Sequence, residues 1–317
     1  MALTPERVLV TGGGGFIGSA LVRSLVAAGH EVHLVRRSAE RAARLGDVQD
    51  RCVTHVADLT DAAAVREAVR AGRPDVVYHL AAAGVAAGGA RDRAGVLSAN
   101  AVGTAHLLDA LDGHDYRSLV YAGTGAEYGP GRQPHAEDDP PRPVTDYAVA
   151  KAAGSLLCQA EARRGRPVTV VRIFGAYGPG EAPQRLIPYV MGCCVRGEDP
   201  RVSAGGQRRD WVFVEDVVEL LRVAADTPRA AGRVLHAATG REHTVREAVE
   251  AVLAACGGGV RPAYGAELPR PGEPDRYAGS IDLTTALTGW RPRFDLQTGI
   301  ERTWEWFRAG TMGRAAA

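Results

Sequence analysis

Lysine is nearly absent from this 317-residue chain. Of 38 basic residues one is lysine, and the rest are arginine. No excess of one charge shows either. The 37 acidic residues leave a net charge of +1, so there is no electrostatic footprint for nucleic acid. Doublets such as Arg163-Arg164 read as solvated helix surface. No apolar run approaches the roughly 20 residues of a membrane span. The few residues before Arg7 leave no room for a signal peptide. The five cysteines (Cys52, Cys158, Cys193, Cys194, Cys256) have no C-x-x-C or Cys/His metal spacing. The adjacent pair Cys193-Cys194 reads as packing. Internal repeats are absent. These absences exclude membrane, nucleic-acid and metal readings, and they set the expectation of a cytoplasmic protein.

The one lysine, Lys151, stands four places after Tyr147 in the run D-Y-A-V-A-K. An ammonium is a compact, aimable point charge, whereas a guanidinium is a broad planar fork. If Tyr147 opens a helix, Lys151 lies one turn further along the same face. A cation there favours the phenolate and lowers the Tyr pKa, as a general acid/base near neutrality requires. Alone, the pattern equally suits a surface lysine beside a core tyrosine.

Apolar residues make up 45% of the chain and charged residues 24%, as in ordinary globular proteins. The first half alternates strand-like runs (Arg7–Thr11, Glu31–Val35, Cys52–Val56, Val76–His79, Ser118–Ala122, Thr169–Ile173) with helical patterns. Such alternation predicts an α/β fold, a doubly wound parallel sheet covered on both faces. In the second half, Arg209–Val214 reads as one strand leading into the helix Glu215–Ala225, and Thr244–Ala255 and Ile300–Phe307 read as helices. Leu268–Pro274 is rich in Pro and Gly and reads as a crossing segment.

T-G-G-G-G-F-I-G follows the first strand and opens the first helix, with Gly12, Gly15 and Gly18 at three-residue spacing. Glycines at those points allow a sharp turn and close approach to a pyrophosphate, with Phe16 and Ile17 carrying the helix start. A dinucleotide site is expected. The second strand ends in Arg36, Arg37 and Ser38, with no carboxylate before Glu40. NAD binders usually place an acid there for the ribose 2′-hydroxyl, whereas guanidiniums suit a 2′-phosphate. The expected cofactor is therefore NADP (NADPH) in preference to NAD; the other reading is that the arginines merely face solvent. Asp58, followed by Leu59, is placed either to meet the adenine edge or to cap the next helix.

Together with these features, Y-H-L-A-A at 78–82, N-A-V-G-T at 100–104, A-G-T-G-A-E-Y-G at 122–129, Y-A-V-A-K at 147–151, R-I-F-G-A-Y-G-P-G at 172–180, R-R-D-W-V-F-V-E-D-V at 208–217 and R-P-G-E-P at 270–274 span nearly the whole chain. In their order and spacing the chain resembles the extended short-chain dehydrogenase/reductase family, in its nucleotide-sugar epimerase/dehydratase/reductase group. The resemblance implies a Rossmann-type domain over 1–174, rejoined by about 210–240. It also implies a smaller mixed α/β lobe, over 175–209 and 241–317, that holds a nucleotide-diphosphate sugar. It assigns Tyr147 as acid/base, Lys151 as its tuner and ribose ligand, and Thr124 as the hydroxyl that holds the reacting sugar oxygen. Leu80, Ala81, Ala82 and Asn100 would line the dinucleotide, and Phe174 would lie near the nicotinamide. Arg209 and Arg270 match positions that neutralise the diphosphate. Pairing of the helices at 96–111 and 147–161 across a homodimer is also implied.

Three reactions share this machinery. The dehydratases carry protonic groups just after the Thr, where this chain has Gly125 and Ala126. Glu127, in an extended segment, would point to the opposite side. The epimerases hold NAD through the second-strand acid, which is missing, and often have Asn at the position of Gly175. The expected activity is therefore an NADPH-dependent ketoreductase acting on a nucleotide-activated keto sugar, a 4-keto-6-deoxyhexose. A UDP-sugar 4-epimerase is the alternative. A non-catalytic sensor or a reductase of a non-sugar ketone would leave the dyad or Arg209 and Arg270 idle.

Overall fold

β-Branched runs build the centre of the molecule. The computed structural model describes residues 5–84, 92–131, 134–268 and 274–315. Its main sheet contains β1 (Arg7–Thr11), β2 (Glu31–Arg36), β3 (Cys52–Val56), β4 (Val76–His79), β5 (Ser118–Thr124) and β6 (Val168–Ile173). A seventh strand, Val234–Ala237, adds to the outer edge of β6. The spatial order is Val234–Ala237, β6, β5, β4, β1, β2, β3, and every pairing is parallel. Every residue of β5 and β6 is buried, as expected of parallel strands covered on both faces.

The covering helices follow from local signals. α1 (Phe16–Ala27) turns Leu21, Val22, Leu25 and Val26 inward. α2 (Ala62–Gly72) starts at Asp61, whose carboxylate accepts the Ala63 and Ala64 amides. Such a cap stabilises a helix by about 1 kcal/mol. α3 (Arg93–Leu97) runs through a π-turn at Ser98–Val102 into α4 (Gly103–Ala110). α5 (Asp146–Arg163) is capped by Thr145, which accepts the Ala148 amide.

The expected strand Arg209–Val214 is instead two short strands in different sheets. Arg208–Arg209 pairs with His243–Thr244 and Arg276–Tyr277, whereas Trp211–Phe213 pairs with Gly175–Tyr177. The break falls at Asp210. Its buried carboxylate captures the amides of Thr239 and Gly240 and the Thr239 hydroxyl at 2.7 to 2.9 Å. A separate apolar cluster, including Ile187, Met191, Val249 and Ile300, joins the helices Leu186–Arg196, Val245–Cys256 and Leu296–Ala315. No helix among the described residues is long and apolar enough to cross a membrane.

Candidate active site

The order in which strands are added to the sheet reverses between β1 and β4, where parallel sheets leave a crevice at their carboxyl ends. At that point Gly12 takes φ +73°, and a Cβ on it would lie 2.5 Å from the Ala81 nitrogen. A Cβ on Gly18 would lie 2.2 Å from the Gly12 carbonyl oxygen. These glycines let β1, α1 and the chain after β4 meet backbone to backbone. Gly15 is the N-cap of α1, and no side chain caps this end of the helix. The first-turn amides at Phe16 and Ile17 thus form an electropositive cradle suited to an anion.

Leu80, Ala81 and Ala82 run beside that turn. The Leu80 and Ala81 amides bond Thr11, and Thr11 Oγ1 bonds His79 Nδ1 at 2.6 Å. Burial pushes the His79 imidazole down to about 3, so it works as a neutral link, reaching Thr104 Oγ1 at 2.9 Å. Asn100, in the π-turn, clasps Ala83 through both its amide and its carbonyl. The structure therefore brings Gly12, Leu80, Ala81, Ala82 and Asn100 together.

At the end of β2, Arg36 Nη2 donates to the Glu40 carbonyl at 2.8 Å. Its Nη1 is buried and has no hydrogen-bond partner among the described residues. Arg37 and Ser38 are exposed beside it. A dinucleotide fits this edge: a helix start without a side-chain cap for phosphate, and a guanidinium with an unused donor. Asp58 accepts the Thr60 amide and hydroxyl at 2.9 and 2.8 Å. Those bonds hold its carboxyl below its ordinary range, aided by the charge of Arg37. The helix cap is Asp61, so Asp58 does not cap the helix. Leu59 packs under Gly103, and its carbonyl meets His106 Nδ1 at 2.9 Å.

Thr124 ends β5 beside two phenols: its hydroxyl lies 3.4 Å from that of Tyr277, and it acts on the Tyr147 phenol. Tyr147 opens α5, and Lys151 is buried one turn on. Lys151 Nζ lies 4.0 Å above the Tyr121 ring centre, and the Tyr121 hydroxyl donates to the Lys151 carbonyl. Burial pulls the Lys151 ammonium down to about 8 against the opposing charge of Glu127. The Tyr147 phenol departs from the expectation, because it is pushed up rather than lowered. Burial is the largest cause, with Tyr277 and Glu127 adding to it; the Thr124 bond and the Arg185 charge act the other way. The balance of these causes biases the Tyr147 phenol toward its protonated form.

Glu127 also departs from the expectation. The segment after Thr124 is a 3₁₀ turn, Gly125–Tyr128, rather than extended chain. Thr124 and Glu127 form a capping box: the Thr124 amide donates to Glu127 Oε1 at 2.9 Å, and Thr124 Oγ1 accepts the Ala126 amide. Glu127 Oε2 accepts Arg172 Nε at 2.8 Å, with the two side chains 0% and 2% exposed. The pattern T-x-x-E carries this signal in sequence. Tyr277 had no such signal, because a two-residue strand beginning two residues past the R-P-G-E-P run delivers it.

Phe174 lies under the site. A Cβ on Gly125 would be 2.7 Å from its ring, which also contacts Tyr277 and His236. Arg209 is nearly buried on the strand paired with Tyr277, and donates to the Arg208 and Asp275 carbonyls. Its charge reaches the Tyr277 phenol, which burial pushes up to about 12. Arg270 lies outside the described residues.

Residues 8–238 match the NAD dependent epimerase/dehydratase family. The chain belongs to that family. It is 34% identical to a dTDP-glucose 4,6-dehydratase of Streptomyces niveus, covering 95% of this chain and 93% of that protein. It is 32% identical to a UDP-glucose 4-epimerase of Mycolicibacterium smegmatis, covering 95% and 98%. Among solved structures, the UDP-glucose 4-epimerase of Thermus thermophilus in complex with NAD aligns with a TM-score of 0.84 at 31% identity, over 95% of this chain and 98% of that one. That of Thermotoga maritima with UDP-glucose aligns at 0.88 and 28% identity, over 96% and 99%. The Rossmann-like sheet and the extended short-chain dehydrogenase kinship read from the motifs are thus established.

Proposed function

We propose that this family member is an NADPH-dependent reductase of a nucleotide-activated keto sugar, a 4-keto-6-deoxyhexose reduced at C4. The observation that carries the reading is the Thr124–Glu127 turn. Gly125 and Ala126 have no proton to move, and the Glu127 carboxylate that follows them is locked to Arg172 and the Thr124 amide. A group so held cannot serve the C5 and C6 proton transfers of a dehydration. Arg36, with its unused buried donor, supports the choice of NADP over NAD.

A bound nicotinamide would supply the hydride. The chain's own residues do the rest. Thr124 holds the sugar oxygen, and Tyr147, kept protonated by burial, gives its proton to the developing alkoxide. Lys151 holds the nicotinamide ribose and stabilises the phenolate left behind. Arg209, with Arg270, would neutralise the sugar's diphosphate, which Arg grips bidentately. The lobe of 175–209 and 241–317 is then the substrate side, and Phe174 the floor near the nicotinamide. Apolar residues exposed on α5 and the neighbouring π-turn (Val102, Val149, Leu156, Leu157) support a homodimer formed through those helices.

The test is NADPH consumption with a dTDP-4-keto-6-deoxyhexose against a UDP-hexose. Stoichiometric NADP formation with the keto sugar is expected. Interconversion of the UDP-hexose without net cofactor consumption would establish the second reading, a 4-epimerase, which the two solved epimerases favour.

A further inference from the structure

A buried carboxylate is costly unless it is paired and hydrogen-bonded, and Glu127 has a partner on each oxygen. Its Oε1 takes the amide of Thr124 and its Oε2 takes the guanidinium of Arg172 on β6. Arg172 in turn stacks over the Tyr128 ring at 4.2 Å. Space is kept for this carboxylate by Gly123, where a Cβ would lie 2.6 Å from Glu127 Oε1 and 3.3 Å from Ser155 Oγ. Ser155 is one turn beyond Lys151 on α5, so Glu127 sits against the helix face that carries the lysine.

We propose that Glu127 is a positioning residue: it fixes the Thr124 backbone, and its carboxylate, held by Arg172, keeps Lys151 charged in a pocket that excludes water. This rests on the reading of Tyr147, Lys151 and Thr124 as the reacting centre.

Among the described residues, the carboxylate whose charge acts on Lys151 is that of Glu127, itself paired with Arg172. Lys151 is faced by the Tyr121 ring on β5, by neutral His79 on β4 and by the Cys158 thiol on its own helix. Burial pulls its ammonium down, and the opposing causes are Glu127 first and Cys158 second. Burial pushes the Cys158 thiol up to about 12, which leaves the Glu127 carboxylate, ion-paired with Arg172, as the group that acts in favour of the ammonium. The same charge reaches the phenols of Tyr147 and Tyr277 and disfavours their ionisation. One buried carboxylate thus biases both halves of the dyad toward their protonated forms, which suits a site whose task is to donate a proton.

The chain's composition gives a direct readout. With one lysine in the sequence, isotope labelling at lysine Cε yields a single resonance that titrates with the Lys151 amine. In the wild type its midpoint is expected near about 8. Glu127→Gln keeps an acceptor for the Thr124 amide but removes the charge, and should lower the midpoint by about one unit or more. Arg172→Gln removes the balancing cation and should raise it. Opposite directions separate an electrostatic role from a merely structural one. An unmoved midpoint in Glu127→Gln, or the same direction in both variants, overturns the proposal. Where Glu127→Gln does not fold, the doubly neutral Glu127→Gln/Arg172→Gln carries the test. Its midpoint should lie below the wild-type value, and an unchanged one overturns the proposal. The titration needs no substrate, so it is independent of the catalytic reading. A moved lysine midpoint with an unmoved pH profile of turnover would uphold the Glu127–Lys151 coupling and remove Lys151 from the chemistry.

Discussion

Replacing Arg36 by alanine separates cofactor choice from cofactor binding. The guanidinium has two exposures to consequence. Nη2 ties the loop through the Glu40 carbonyl at 2.8 Å, an exposed bond. Nη1 is buried without a partner among the described residues, and the proposed reading makes it the donor to a 2′-phosphate. A hydrogen bond to a charged group contributes about 1.5–3 kcal/mol. Losing it should weaken NADPH binding by roughly ten- to a hundredfold. The exposed loop bond contributes far less and affects NADH and NADPH alike. The expected result of parallel calorimetric titrations is therefore a change in ratio. The NADPH Kd should rise by that factor, while the NADH Kd stays within about threefold, which corresponds to under 1 kcal/mol. Equal losses for the two cofactors, or unaltered NADPH binding, would refute the assignment of Arg36 and with it the preference for NADP.

The other tests touch the dyad, the glycine turn and the exposed helix face. Tyr147→Phe should keep NADPH affinity and lose turnover by about 10²–10⁴-fold, the usual contribution of a positioned acid; near-normal rates in a stopped-flow assay would remove Tyr147 from the chemistry. Gly18→Ala places a Cβ 2.2 Å from the Gly12 carbonyl oxygen, where rigid backbone must move. A stability loss of about 1–3 kcal/mol is expected, with weakened dinucleotide binding, and an unchanged thermal midpoint and Kd would contradict the tight α1–turn packing. Val149→Arg with Leu156→Arg puts two charges on one exposed stripe of α5, at residues that are 43% and 48% exposed. Light scattering should then report monomers in place of dimers, and a dimer that persists would place the interface elsewhere.

The sheet was legible in sequence because its strands are runs of β-branched residues separated by helical periods and capped by recognisable turns. Val234–Ala237 was not, because its histidine is buried by partners that lie far away in sequence. His236 meets Tyr128 Oη at 2.5 Å and the Ser280 carbonyl at 2.7 Å, neither of which the strand itself announces. Asp282–Thr288, D-L-T-T-A-L-T, forms a helix although threonine is a weak helix former. There the Thr284 amide and hydroxyl both go to Glu137, at 2.9 and 3.0 Å, a tertiary partner 147 residues away. The site divides the same way. Gly12, Gly18, Tyr147 and Lys151 could be singled out because each sits at a fixed offset from a strand or helix end, and Thr124 through the family resemblance. Tyr277 was not, because it arrives on a two-residue strand whose place is set by pairing with Arg208–Arg209.

The misreading of Glu127 shows what spacing arguments omit. Alternation along an extended chain would have sent Glu127 away from Thr124. A capping box reverses that: the side chain three residues on returns to the backbone of the first, and the carboxylate ends up under the site instead of outside it. The same pocket explains why one lysine survives in a chain otherwise built on arginine. A guanidinium keeps its charge at any accessible pH, so burial could not tune it. An ammonium stacked 4.0 Å above Tyr121 and drawn down to about 8 lies within reach of neutrality, where a nearby carboxylate decides its state. Lysine at 151 is therefore the cation whose charge Glu127 can govern, and arginine there would leave that carboxylate with nothing to set.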